Sequence, residues 1–185
     1  IIKQQNVVVY GLDADLIIIG LGNIQHTKNV YLFRETPEFI RSVNADLEPN
    51  ELYLMDLNYL KNIISQEMKT SNLSTNDTHK NKLNDTHKNK LIIDYVFLMI
   101  FMGNDFMPHF PSLNIRTKGL DIILKLYKIN FGDKNLFLID DNYELIWKNI
   151  RDLIFELTKI EEQNFKQEII IRRKVSIKNT NHKVL

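Results

Sequence analysis

The chain has no cysteine among its 185 residues, only six glycines, four prolines and one tryptophan. Without cysteine there is neither a disulfide framework nor a thiolate metal site, which suits a reducing compartment. No apolar run approaches the roughly 18 residues that suggest a membrane span. Charge of one sign is also lacking: a formal net charge of +1 supplies no global field for attracting a polyanion. Any such partner would have to be gripped by a local patch. The opening "IIKQQN" carries neither methionine nor the pattern of a signal peptide, so the expectation is a segment of a longer chain.

Enough remains to build a core. Hydrophobic residues make up 44% and charged residues 25%, an ordinary soluble balance, and the length suits one domain or part of a larger one. The β-branched run Val7 to Tyr10, closed by Gly11, predicts a buried strand. "DADLIIIGL" then predicts a helix start in which Asp13 caps and Asp15 suits the positive end of the helix dipole. Val30 to Phe33 and Leu52 to Met55 predict further strands, and Leu60, Ile63, Ile64 and Met68 share one face of a helix from about 58 to 68.

The octapeptide "NDTHKNKL" stands at 76–83 and again, unchanged, at 84–91. Two short polar copies cannot bury a core, so residues 71–89 are expected to be a disordered low-complexity insert rather than a repeat architecture. His79 and His87 are read as part of that insert, not as metal ligands. Leu91 to Met102 predicts one buried helix ending at Gly103, followed by the turn-rich "GNDFMPHFPSL". Helix resumes near Lys118; Leu136 to Ile139 reads as a strand, and a long helix follows from about Tyr143. Strands alternating with helices predict an α/β fold, a mainly parallel sheet flanked by helices with a helical C-terminal part.

The carboxylates carry the chemistry. Asp13 and Asp15 stand just past a strand end, where such sheets collect ligands, and Asp105 is read as the only other acid set among apolar and turn residues. Carboxylates held beside a core need a neutralising partner, and a hard divalent cation is the natural one. Spacing alone leaves plainer roles open: a helix cap, a first-turn acid and a loop acid bonded to neighbouring amides. His109, between Pro108 and Pro111, is read as a packing or hydrogen-bonding histidine.

"VVYGLDADLIIIGL" and "DYVFLMIFMGNDFMPHFPSLNIRTKGLDIILKLY" resemble, in order and spacing, the Xrn family of 5′-to-3′ exoribonucleases. The resemblance covers nearly the whole chain, weakening through the insert and after about residue 130. It implies the C-terminal half of the family's nuclease region, with a core related to PIN and flap-endonuclease nucleases. It implies that Asp13, Asp15 and Asp105 ligate Mg²⁺ or Mn²⁺ at a cleavage site, and that Gly11 and Gly103 serve tight turns. It further implies as substrate RNA with a 5′-monophosphate. The expected location is intracellular, cytoplasmic rather than nuclear, with no membrane partner.

The upstream half of that region, with its remaining carboxylates and its basic 5′-phosphate pocket, is absent from these 185 residues. "IRRK" around Arg172 reads as a solvated helix end and Arg116 as structural, so neither replaces the pocket. The lone segment is therefore expected to be inactive, with the missing half as its partner. Two alternatives stand beside this reading. One is a haloacid-dehalogenase-like phosphatase with Asp13 as nucleophile, although Ile17 then stands where Thr or Val is usual. The other is a noncatalytic remnant that binds RNA or protein.

Overall fold

A computed structural model describes residues 5–36, 40–69, 85–115 and 118–181. The chain divides into two compact units, the first from residues 1–66 and 73–96, the second from residues 67–72 and 97–185.

In the first unit, strand β1 (Asn6–Tyr10) leads through helix α1 (Asp15–Asn23) to strand β2 (Asn29–Glu35). A short helix α2 (Ile40–Val43) precedes strand β3 (Leu52–Asp56) and helix α3 (Leu57–Glu67). β1 and β2 pair parallel with Tyr10 opposite Phe33, while β2 and β3 pair antiparallel with Phe33 opposite Leu54. The expected mainly parallel sheet is thus a small mixed one. The β1–α1–β2 unit accounts for the parallel pair, whereas the polar stretch after β2 brings β3 back in the opposite sense.

Period-two alternation sends Val30 and Leu32 into the core, where they meet Leu21, Ile24, Leu57 and Ile92, with Val9, Leu60 and Tyr95 packed alongside. Ile92 and Tyr95 belong to helix α4 (Asp85–Ile100). Asp56 starts α3 by accepting the amides of Asn58 (2.8 Å) and Tyr59 (3.1 Å) through Oδ1, so the chain turns from strand to helix without a loop.

The insert is shorter than expected at its far end. Residues 70–84 lie outside the described residues, but Asp85 to Asn89 form the first turn of α4. The second octapeptide copy is structured because α3 gives its polar groups partners. Lys61 Nζ donates to Asn89 Oδ1 at 2.9 Å, Lys88 Nζ donates to Asn62 Oδ1 at 2.6 Å, and Leu91 is fully buried. Removing either copy yields the same polypeptide, and these contacts survive in it. Deleting residues 76–83 is expected to leave the fold intact and to raise stability by about 0.6 kcal/mol, since the α3–α4 connection is roughly halved. A loss above about 1 kcal/mol in urea unfolding would show that the first copy also makes contacts.

Two titrating groups in this unit oppose each other in alkali. Burial lowers the pKa of Lys61 below its ordinary 10.5, an effect the carboxylate of Asp85 partly offsets. Burial raises the phenol of Tyr95 above 10.0. Above pH 10.0 the unfolded chain releases the tyrosine proton while the folded chain keeps it, so Tyr95 erodes stability as pH rises. Lys61 has the opposite sign, because its depressed pKa makes the folded state shed a proton first and gain stability towards pH 10.5. Tyr95→Phe is expected to lose less stability than the parent between pH 9 and pH 11, measured by urea midpoints. Parallel curves would remove Tyr95 as a source of the alkaline loss.

In the second unit, helix α5 (Gly119–Asn130) contacts the long helix α6 (Trp147–Asn181). Ile123 and Tyr127 of α5 and Ile150, Leu153 and Leu157 of α6 are buried at helical spacing, and Leu138 between the two helices is buried as well. The expected strand at 136–139 is instead extended chain with a single antiparallel bridge, Ile139 to Leu145. The segment from Asp140 to Leu145 folds back on itself, with Asp140 Oδ1 accepting the amides of Asn142 and Glu144, so no second strand extends the pairing. α6 correspondingly begins at Trp147, not near Tyr143. Among the described residues, no helix is long and apolar enough to cross a membrane.

Candidate functional site

The turn after β1 carries Asp13 and Asp15 at the carboxyl end of the parallel pair. The Gly11 amide still donates to the Phe33 carbonyl at 3.2 Å, so the sheet's register persists up to the turn. Asp13 Oδ1 then accepts the Asp15 amide at 3.0 Å. Ala14, not Asp13, is the residue that caps α1, and no side chain bonds from that position. Asp13 satisfies the helix from one residue further out.

Asp13 is exposed and Asp15 half-buried, so neither carries the cost of full burial. The apolar run flanking them made them look buried. Yet the strand shows one of its faces to solvent, the turn lifts Asp13 clear of the core, and Asp15 stays half-buried at the start of α1. What the pair offers is a set of hard oxygen donors on a turn tied to a strand end, which suits a divalent cation such as Mg²⁺.

Asp105 lies in the second unit, on the turn that follows α4. Gly103 opens that turn with φ +75°, and its amide donates to the Ile100 carbonyl at 3.2 Å. Asn104 Oδ1 accepts the amides of Phe106 and Met107, both at 2.9 Å, while its own amide donates to the Met107 carbonyl at 2.9 Å. Asp105 therefore projects from a turn fastened on both sides, and it is exposed. Below it, the Phe110 amide donates to the Phe101 carbonyl at 2.8 Å and the two rings meet edge-on at 6.1 Å. His109 is half-buried and its Nδ1 donates to the Phe110 carbonyl at 2.9 Å, the hydrogen-bonding role expected of it.

The structure puts Asp13 and Asp15 on one turn and Asp105 on another, each in its own unit. Among the described residues, no three His, Cys, Asp or Glu side chains form a group able to hold a metal ion. Arg116 lies outside the described residues. Asp105 is also not the sole further acid amid apolar sequence: Asp94, in "LIIDYVF", is fully buried on α4. A single acid in an apolar run was the signal for it.

Glu168 is a second residue the sequence did not single out. It sits on the charged stretch of α6 yet is buried, and its Oε1 accepts Asn114 Nδ2 and Arg172 Nε, both at 2.8 Å. Arg172 is thus engaged through its Nε and is not simply a solvated helix end. Asn114 closes the segment that begins at Gly103, and its carbonyl accepts the Gly119 amide at 2.9 Å. Glu168 consequently fastens the far end of the Asp105-bearing segment to α6. Glu168→Ala is expected to cost about 2–3 kcal/mol, because a charge-assisted pair of bonds is lost and Asn114 is left half-buried. A loss under about 0.5 kcal/mol in thermal melting would show that water replaces the carboxylate.

Residues 55–184 match the family model described as the Xrn1 helical domain. The chain belongs to the Xrn family of 5′-to-3′ exoribonucleases. It is 29% identical over 164 residues to 5′-3′ exoribonuclease 1 of Schizosaccharomyces pombe, covering 87% of this chain and 12% of that protein. It is 24% identical over 198 residues to 5′-3′ exoribonuclease 2 of Arabidopsis thaliana, covering 91% and 18%. Over 122 residues it is 31% identical to 5′-3′ exoribonuclease 1 of Saccharomyces cerevisiae, covering 65% and 7%. This Xrn-family chain therefore spans less than a fifth of the length of these relatives.

Proposed function

We propose that this chain is part of a divalent-metal-dependent 5′-to-3′ exoribonuclease that degrades RNA bearing a 5′-monophosphate, within a PIN-like nuclease core. The observation that carries the reading is the pair of carboxylates, Asp13 exposed and Asp15 half-buried, on the bonded turn at the end of β1, in a chain of this family. Asp13, Asp15 and Asp105 are the residues that would supply oxygens to Mg²⁺ or Mn²⁺. Such an ion, when bound, polarises the phosphodiester and eases ionisation of the attacking water. The carboxylates need not act as bases; their work is to fix positions on turns that hydrogen bonds already hold. On this reading the 185 residues are inactive by themselves, because three acids are fewer than such a centre needs. The missing half of the nuclease region is the partner, and the setting is the cytoplasm.

The test compares the 185-residue chain with the same chain joined behind the upstream half of an Xrn nuclease region. Both are incubated with Mg²⁺ and RNA carrying either a 5′-phosphate or a 5′-hydroxyl. The joined protein is expected to digest the phosphorylated RNA processively, and the lone chain is expected to leave both intact. Processive digestion by the lone chain would overturn its incompleteness. A folded joined protein that digests neither RNA would overturn the nuclease reading.

A further inference from the structure

Charge is segregated along this sequence. Residues 169–185 hold five of its 24 lysines and arginines and none of its 23 acids. Residues 1–168 therefore carry 19 basic and 23 acidic side chains, so the net charge of +1 conceals a formal −4 followed by +5. Four of the five cations, Arg172, Arg173, Lys174 and Lys178, lie on α6, which runs on to Asn181. A helix dipole attracts cations only to its last turn. That accounts for Lys178, but Arg172 to Lys174 stand about two turns before the end.

Ion pairing stops at the same point. Earlier on α6, Lys159 Nζ meets Glu156 Oε1 at 2.5 Å and Lys166 Nζ meets Glu162 Oε1 at 2.6 Å. Glu168, the last acid of the 185 residues, takes Arg172 Nε at 2.8 Å. One bond uses one of the five N–H donors of a guanidinium, and the Arg172 side chain stays 63% exposed. Arg173 and Lys174 are exposed, and among the described residues neither has a carboxylate partner. Ile169, Ile170 and Ile171 stand about 100° apart around the helix. All three are 37–50% exposed, so no side of α6 is fully packed here. Cations that neither the dipole, a neighbouring acid nor packing employs make a local site for a polyanion.

We propose that Arg172, Arg173 and Lys174 grip the sugar–phosphate backbone of single-stranded RNA without reading its sequence. The choice of RNA over an acidic protein surface rests on the proposed function, to which the grip adds a hold on the substrate that needs no metal ion. Arginine forks onto phosphate oxygens and lysine offers a point charge. The neighbouring isoleucines present no donor or acceptor to a base edge, so nothing in the patch specifies a base. Glu168 bonds Arg172 and Asn114 with the same oxygen. The first cation of the grip thus shares a carboxylate with the segment, Gly103 to Asn114, that carries Asp105.

The experiment compares the full polypeptide that carries this sequence with its Arg173→Gln/Lys174→Gln variant. Arg172 is left in place because Glu168 uses it. Fluorescent RNA with a 5′-hydroxyl is titrated in EDTA, which removes metal-dependent binding and digestion, and anisotropy gives Kd across a salt series. The variant is expected to bind about tenfold more weakly at low salt, equally for oligouridine and oligoadenosine. Its log Kd is expected to depend on log salt with a slope smaller by about 1.4, since each lost single-strand contact removes about 0.7. Arg173→Lys/Lys174→Arg keeps both charges and is expected to stay within about twofold of the parent. The slope counts ions released on binding, so it reads the contacts even where a variant's stability differs. An unchanged Kd and slope would overturn the grip, as would a loss confined to one base sequence. So would tighter binding of polyglutamate than of RNA at these residues, which would assign the patch to an acidic protein. Digestion of 5′-phosphorylated RNA with Mg²⁺ by the same parent separates the two readings. An active nuclease whose variant binds RNA normally overturns the grip alone. A polypeptide that never digests RNA, yet loses binding in the variant, overturns the function alone.

Discussion

Gly103→Ala is expected to destabilise the second unit by about 3 kcal/mol, lowering the melting temperature by roughly 10 °C. Two physical causes add. The backbone at Gly103 is left-handed, φ +75°, which costs a residue with a β-carbon about 1 kcal/mol. The added carbon would also stand 2.5 Å from the His109 amide nitrogen and 2.9 Å from the Met107 carbonyl oxygen. These are backbone atoms that no rotamer change can clear, so residues 107–109 must move, and the turn that fixes Asp105 moves with them. Gly103→Asn separates the causes, because asparagine tolerates the left-handed region but still carries the carbon. A loss as large as that of alanine is the expected result, since the close approach is the greater cause. A loss under about 0.5 kcal/mol for Gly103→Ala would show that the turn has room, and that glycine serves no backbone need there.

The elements built on strong periodicity were legible in the sequence. β1, β2, β3, α3 and α5 stand within one or two residues of their apolar patterns. Three features were not legible, each for a reason. "LFLI" at 136–139 has strand composition, but a strand needs a partner, and Asp140 folds the following residues into a turn. The second octapeptide copy reads as disordered by composition, yet the same lysines and asparagines find reciprocal partners on α3, which no local property encodes. The sense of β3 depends on the path between β2 and β3, not on β3's own residues.

At the candidate site the contrast is similar. The turn was readable: Gly103 was expected to serve a tight one and opens it with φ +75°, whereas the asparagine side chain of Asn104 that closes it was not singled out. Exposure was not readable. Asp13 and Asp15 adjoin an apolar run that suggests burial, but half of that run faces outward on an edge strand. Glu168 shows the converse, a charged residue within a charged helix that is buried because Asn114 and Arg172 approach it.

Asp13→Asn and Asp105→Asn, each placed in an active polypeptide, are expected to reduce kcat on 5′-phosphorylated RNA by about 100-fold or more. Loss of a residue that merely orients a metal ligand already costs about 10–100-fold, and removal of a ligand charge should cost at least as much. Neither change should disturb folding. Both side chains are exposed, and asparagine at position 13 retains the oxygen that accepts the Asp15 amide. Melting temperatures within about 1 °C of the parent are the expected control. The double variant decides whether the two acids serve one centre. If Asp13 and Asp105 act on the same ion or the same phosphodiester, the second substitution adds little to the first, as groups that work as a unit do. If they act independently, the two losses multiply to about 10,000-fold. The expected result is the first, a double variant no more than about tenfold below either single one. Multiplying losses would place Asp105 outside the centre that Asp13 serves, and two exposed turns would then need separate explanations.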